Sequence, residues 1–313
     1  MDNEMEKKSF FYYISNNNFI RTILSIICGF IVGAIFLEIL GYNSLYVYRT
    51  LFNGIFANKK SISNIIVYSS PYILTGLSVV ISLKAGIFNI GAEGQYVIGT
   101  LGALVIGILF KDLPSIVLIP LCMISAMICG AIFGIIISIL KNKFNINEIL
   151  SMIMFNWIAF YFSNLIIRLS VFKNENGYEA SRTLTDNALI IFDKNFISKY
   201  GLCSNFNLGI LIVIIFSILI YILIEKTTLG YAIKAVGKNI DASRFNGIDV
   251  NKISIITLAI SGALAGLAGA IQLMGASKRI SIYIYQEGYG FAGIVVALIG
   301  MVNPIISILS GLF

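Results

Sequence analysis

Apolar residues in this chain gather into long unbroken runs, each near or above the roughly 18 residues that cross the hydrocarbon core of a bilayer. The runs predict spans over residues 22–40, 64–83, 87–110, 115–140, 149–167, 208–224 and 253–274. After them comes "GYGFAGIVVALIGMVNPIISILSGLF", read as one glycine-interrupted span over 289–302 and the start of another. Lipid offers a backbone no hydrogen-bond partners, so each run must be helical. The expectation is an all-α, polytopic integral membrane protein, a single domain over residues 1–313 with about 8–9 transmembrane segments.

Two polar stretches interrupt the runs. Residues 171–206 mix both charge signs with Gly and Asn and read as a partly structured external loop, a connector as most such segments are. Residues 226–252, "KTTLGYAIKAVGKNIDASRFNGIDVNK", offer Thr227 or Thr228 as the cap of a short amphipathic helix that Gly237 is suited to end. A second helical piece runs from Asp241 to Phe245 and stops at Gly247. Anchoring at a lipid surface and docking of another protein both account for such a segment. In the span that follows, Gly262 and Gly266 form a GxxxG pair extended by Ala265, Gly269 and Ala270, a small face that lets helix backbones approach closely.

The chemically odd stretch is "KAGIFNIGAEGQ", residues 84–95, which sets the Glu93 carboxylate among glycines between apolar runs. An ionisable group at membrane depth costs about 2.5 to 3.5 kcal/mol on insertion scales, so Glu93 should face protein or water rather than lipid. Gly86, Gly91 and Gly94 each weaken a helix by up to ~1 kcal/mol relative to alanine. Asn89 suits the N-cap of a fresh helix beginning at about Ile90. The pattern predicts a helix break and restart of the kind that lines a transporter's central cavity, with the glycine-rich segment from Gly288 to Gly300 as its partner. Asn89, Gly91, Glu93, Gly94 and Gln95 are the candidate residues of the break or path, with Asn156 in the fifth span beside them. Whether Glu93 touches substrate or braces the structure stays open at this point.

Composition agrees with the hydropathy pattern and narrows the chemistry. The chain is 58% hydrophobic and 12% charged, with mean hydropathy +0.91. There is no histidine, which removes His-based acid–base catalysis and HExxH metal sites. Cys28, Cys122, Cys129 and Cys203 have no metal-ligand spacing and are assigned no chemistry. Neither catalytic nor metal residues are expected. The net charge of +7 belongs to headgroup-facing bases rather than to a nucleic-acid surface, since no basic patch with interleaved aromatics occurs. With a cytoplasmic N-terminus, half of the 22 Lys and Arg fall inside, so charge alone gives only a lean toward that orientation, from the denser short loops. The N-terminal stretch lacks a small-residue cleavage site, and the first span is expected to stay.

Three blocks, "PYILTGLSVVISLKAGIFNIGAEGQYVIGTLGA", "NEILSMIMFNWIAFY" and "TLGYAIKAVGKNIDASRFNGIDV" with "SGALAGLAGA", resemble the permease subunits of bacterial ABC importers for nucleosides and simple sugars, the ribose- and branched-chain-amino-acid-type permease family. The resemblance covers roughly residues 64–305. It implies that residues 226–252 are a cytoplasmic coupling loop that docks on an ATPase subunit, with Gly230, Gly237, Asn239 and Gly247 shaping it and Arg244 as a surface contact. It also implies an ATP-binding partner subunit, a second permease subunit of the same or a different kind, and an extracellular substrate-binding lipoprotein in the cytoplasmic membrane system. No GxxxxGK[ST] phosphate loop occurs, so ATP and magnesium belong to the partner and this chain binds no cofactor of its own. The chain departs from the family at Ala292, where an acidic residue is usual, and at Met301 and Val302, where a polar stretch is usual; the sequence stops at Phe313 within an apolar run.

The first expectation is therefore a non-enzymatic permease subunit that moves a nucleoside, or a pentose or hexose. A neutral substrate needs no counter-charge, so hydrogen bonding by Glu93 is expected rather than a salt bridge. The second is an ion-coupled secondary transporter in which Glu93 carries a proton. An intramembrane enzyme fits least, for want of histidine or a paired aspartate motif.

Overall fold

The computed structural model describes residues 18–174 and 179–313. Lys7 and Lys8 of the orientation count, and residues 175–178 of the predicted loop, lie outside them. Among the described residues seven helices are long and apolar enough to cross a bilayer. Chain contacts divide the protein at Ile62/Ser63 into two units.

In the first unit, α1 (Asn18–Ile39) and α2 (Ser44–Phe56) are joined by a tight turn at Gly41, whose φ is 83°. Asn43 caps α2 by accepting from the Tyr46 amide. The Tyr48 hydroxyl donates to the Phe30 carbonyl at 2.7 Å, which ties the two helices together. No residue of α2 is buried, and Leu45, Tyr46 and Phe56 stand exposed.

The second unit holds α3 (Lys59–Lys84, whose first turn belongs to the first unit), α4 (Ala92–Leu109), α5 (Ser115–Phe144), α6 (Glu148–Ile167), α7 (Lys194–Tyr200) and α8 (Gly209–Lys226). Then come α9 (Thr228–Lys238), α10 (Ile240–Phe245), α11 (Val250–Gln272), α12 (Tyr289–Ile299) and α13 (Ile306–Leu312). Its centre is α11 lodged against α4 and α5. The small residues of α11 explain that closeness. A Cβ added at Gly262 would lie 2.2 Å from the Gly130 carbonyl oxygen, and one at Gly266 2.2 Å from that of Ala126. On the other side Gly99 of α4 meets Gly266 so closely that its Cβ would stand 2.2 Å from the Gly266 Cα. Backbones at this range exchange dispersion contact along their whole length, the dominant attraction between helices where lipid removes the hydrophobic drive. The serine pair Ser138–Ser254, at 3.0 Å, adds a hydrogen bond across the α5–α11 seam, and Ser78–Ser261, at 2.9 Å, ties α3 to α11.

The structure refines three expectations. The run 87–110 is helical only from Ala92, because residues 85–91 form a turn, with Ile87 and Asn89 buried and Gly86 and Phe88 exposed. The run 289–302 holds a short helix, α12, of 11 residues, about 16 Å at 1.5 Å each, half the ~30 Å core. It stops where Met301 and Val302 both take left-handed φ, 52° and 53°. Among the described residues the count is seven long apolar helices plus this shorter one, in keeping with a polytopic all-α bundle. The predicted loop 171–206 is packed onto the bundle. Ser181 donates its amide to the Ile280 carbonyl and Leu184 to that of Lys278, while Phe192, Phe196 and Phe206 stack and Cys203 is buried.

Candidate translocation site and coupling segment

The break begins as a helix C-terminus. Gly86, with φ 75°, lets α3 end with the Gly86 amide on the Leu83 carbonyl and the Ile87 amide on the Ser82 carbonyl, the paired bonds of a left-handed glycine stop. Helix α4 then starts at Ala92, with Gly91 at the cap position and no side-chain bond from it. Asn89 is therefore not the cap the sequence pattern predicted. Its amide nitrogen instead donates to Gln95 Oε1 at 2.9 Å and Ser261 Oγ at 2.7 Å, pinning the turn to α4 and α11. The cap comes from another helix. Asn156 of α6 accepts from the Gly94 amide at 2.8 Å and donates to the Ile90 carbonyl at 3.1 Å, so one side chain holds both edges of the break. A free amide in the first turn of a helix needs such an acceptor. Gly94 must be glycine for Asn156 to come this near, since a Cβ there would lie 2.8 Å from Asn156 Oδ1.

Glu93 is 0% exposed. Its Oε1 accepts from the Gly288 amide at 2.8 Å and its Oε2 from the Gly290 amide at 2.6 Å. The two interruptions of the sequence thus meet at this carboxylate. It sits in the first turn of α4 and at the N-terminus of α12, and both helix dipoles favour a negative charge there. Gly290 permits the approach, as its Cβ would fall 2.2 Å from the Glu93 nitrogen. Asn89, Glu93 and Gln95 are all sealed in the interior rather than open to a channel, and Asn156 is 2% exposed.

The structure adds residues that the sequence pattern did not single out. The Tyr289 ring lies between those of Tyr72 and Tyr96, each centroid 4.9 Å away, and its hydroxyl accepts from Gln272. Thr75 donates to the Tyr289 carbonyl at 3.0 Å. Beside this stack a crevice opens, lined by Tyr96, Thr100, Ser163, Asn164, Tyr283 and Glu287 among others. The free space of about 20 Å³ admits one water. The signal that could have found these groups is "IYIYQEGYG", where aromatic residues and a second carboxylate precede the half-helix.

At the opposite end of α8 from the packed loop lies the 226–252 segment. Thr227 caps α9 through the Gly230 amide at 3.0 Å, and Asn239 caps α10 through that of Ala242 at 3.0 Å. Gly247, with φ 78°, follows the end of α10. Gly237 does not end α9, which runs one residue further; it is a contact point, where a Cβ would be 2.1 Å from the Lys84 carbonyl oxygen. Gly230 likewise lets α9 fold back on α8, 2.1 Å being its hypothetical Cβ distance to the Leu223 carbonyl oxygen. Lys234 pairs with Glu225 at 2.7 Å. Tyr231 is 70% and Phe245 93% exposed, while Arg244 carries a long 3.9 Å pairing with Asp241. Among the described residues no three His, Cys, Asp or Glu side chains are placed to hold a metal ion.

A polytopic helical bundle with two interrupted helices joined at one carboxylate matches, over residues 61–313, the sequence profile described as "Branched-chain amino acid transport system / permease component". The chain belongs to this family. Within curated proteins it is similar to the nucleoside ABC transporter permease protein NupB of Lactococcus lactis, 35% identical over 90% of this chain and 78% of the relative. It is 34% identical to the guanosine ABC transporter permease protein NupP of Bacillus subtilis, over 89% and 78%. The glucose ABC transporter permease protein TsgB13 of Haloferax volcanii is 27% identical over 93% and 77%. No solved structure matches the chain significantly. The protein is accordingly a multi-pass membrane permease component of an ABC transporter family.

Proposed function

We propose that the chain is the membrane-spanning permease subunit of an ABC importer that carries nucleosides across the cell membrane. The observation that carries the reading is the junction of the two interrupted helices at Glu93, set in a family whose members similar to this chain at 34–35% identity are named for nucleoside and guanosine transport. A half-helix held in mid-bundle is the feature that lets such proteins place backbone dipoles beside a polar cargo. The chain itself is not an enzyme in this reading; ATP and magnesium are bound by a separate ATP-binding subunit. A second permease, alike or different, stands beside it, and a substrate-binding lipoprotein delivers cargo outside.

The 226–252 segment faces the cytoplasm and docks on the ATP-binding subunit through the exposed Tyr231, Arg244 and Phe245, with the N-terminus on the same side. Nucleotide-driven closure of the ATPase pair moves α9. Because Gly237 lies on the Lys84 carbonyl, that motion reaches the α3–α4 turn directly. Asn89 passes it to α11 and Glu93 passes it to α12, so the turn and the half-helix shift together. Asn89, Gly91, Glu93, Gly94, Gln95 and Asn156 act in this scheme as the moving joint rather than as substrate ligands. The ion-coupled alternative is not favoured, since a proton carrier must meet water and Glu93 is sealed with both oxygens on backbone amides.

The test is labelled nucleoside uptake in cells with the intact importer and in cells where residues 234–247 are replaced by a flexible linker. Loss of both uptake and ATPase co-purification is expected. Retention of both overturns the coupling role.

A further inference from the structure

The crevice beside the aromatic stack holds a carboxylate that the Glu93 junction does not use. Glu287 has no ion-pair partner among the described residues, and its one side-chain hydrogen bond is a long 3.4 Å contact from the Tyr96 hydroxyl to Oε2. Glu287 is exposed at the rim of the crevice, whose aromatic lining is Tyr283, 40% exposed, and the buried Tyr96 and Phe160. A carboxylate in this setting is an acceptor with two oxygens in one plane and little to accept from. Ser163, Asn164 and Ser281 place it toward the end of the bundle opposite α9 and α10.

We propose that Glu287 is a specificity-determining residue of the translocation path, one that selects for a base presenting two adjacent N–H donors. This rests on the nucleoside reading above. Guanine offers such an edge, N1–H beside the 2-amino group, and would bond both carboxylate oxygens while stacking on the aromatic rings. Adenine and cytosine present a ring-nitrogen acceptor beside their amino group, and uracil flanks its N–H with carbonyls, so each sets a lone pair against the carboxylate. A site built to accept rejects such mismatches more sharply than an apolar slot does. The ribose diol is the competing pair of donors, but it lacks the flat face that the three aromatic residues match. In this structure the crevice is closed to a nucleoside. Asn164 donates to the Tyr283 carbonyl at 3.3 Å across it, so selection takes place when the 278–288 segment swings away during the transport cycle.

The experiment measures initial uptake rates of guanosine, 1-methylguanosine, inosine, adenosine and 2′-deoxyguanosine at saturating concentration, in cells carrying the intact importer with wild-type permease, Glu287→Gln or Glu287→Asp. Expected are a guanosine rate at least tenfold above those of 1-methylguanosine and adenosine in wild type, with deoxyguanosine within twofold of guanosine. Glu287→Gln should erase that preference, slowing guanosine and letting adenosine rise because a carboxamide sets a donor against adenine's ring-nitrogen acceptor, and Glu287→Asp should keep it. A uniform fall for all nucleosides in Glu287→Gln would make the residue a structural part only, and an unchanged pattern would make it a bystander; either overturns the assignment. Should Glu287→Gln fail to assemble, a wild-type rate indifferent to N1 methylation overturns it alone, and a large penalty for deoxyguanosine replaces the base edge by the ribose. Wild-type cells that take up no nucleoside would instead overturn the nucleoside reading, and this assignment with it.

Discussion

Two backbone amides on one buried carboxylate make Glu93 a positioning group. Hydrogen bonds to a charged acceptor contribute about 1.5 to 3 kcal/mol, and a buried amide left bare costs a comparable amount. Glu93→Ala should therefore lower the thermal midpoint of the detergent-solubilised protein and cut uptake at least tenfold. Glu93→Gln, which keeps one acceptor oxygen, should retain partial uptake; equal rates in Gln and wild type would show that the charge is dispensable. At Asn156, alanine leaves the Gly94 amide without its cap, a loss of about 1 kcal/mol for caps in general, so Asn156→Ala should shift the midpoint by a few degrees while Asn156→Asp, keeping the acceptor, shifts it less. At this scale the pattern singled out Gly91, Glu93, Gly94 and Asn156, which the structure sets at the α3–α4 break, and read Asn89 as a cap where it is instead a tie to α4 and α11. N-cap preference is a property of neighbouring residues, whereas the acceptor at Gly94 comes from 62 positions away, which no local pattern displays.

Helices carry the next level of the argument. The small face of α11 was legible because GxxxG spacing puts its glycines on one side, and the structure sets two neighbours against it. A valine at Gly266 would drive its Cβ into the Ala126 carbonyl. Gly266→Val should abolish accumulation of folded protein, read as loss of the monodisperse peak on gel filtration, whereas the exposed Gly29→Val, with nothing within 4 Å, should leave it intact. The bounds of α9 and α10 were also legible within a residue or so, from Thr227 or Thr228 at the start and from Gly237 and Gly247, though not the Asn239 cap of α10. Helix α12 was not. A hydropathy run counts apolar residues and cannot register that Gly288, Met301 and Val302 adopt left-handed φ and stop the helix after 11 residues.

Whole-molecule behaviour depends on the surface that the bundle presents to its partners. Phe245, at 93% exposure on a capped helix between polar loops, is the residue on which the proposed docking of the ATP-binding subunit turns. Phe245→Asp should abolish co-purification of the ATP-binding subunit without lowering the permease's own thermal midpoint. Membrane location and family could be read from hydropathy and the "FNIGAEGQ" block, because both reside in contiguous sequence. Of the crevice at Glu287 only the 278–288 wall leaves a local signal, since the rest assembles side chains from α4 and α6. The central claim, a permease subunit of a nucleoside-carrying ABC importer, is tested most directly by nucleoside uptake into proteoliposomes containing the purified importer complex. Uptake that requires nucleotide hydrolysis at the ATP-binding subunit and is unaffected by a protonophore is the predicted result. Uptake that proceeds without ATP and collapses with the proton gradient would contradict it.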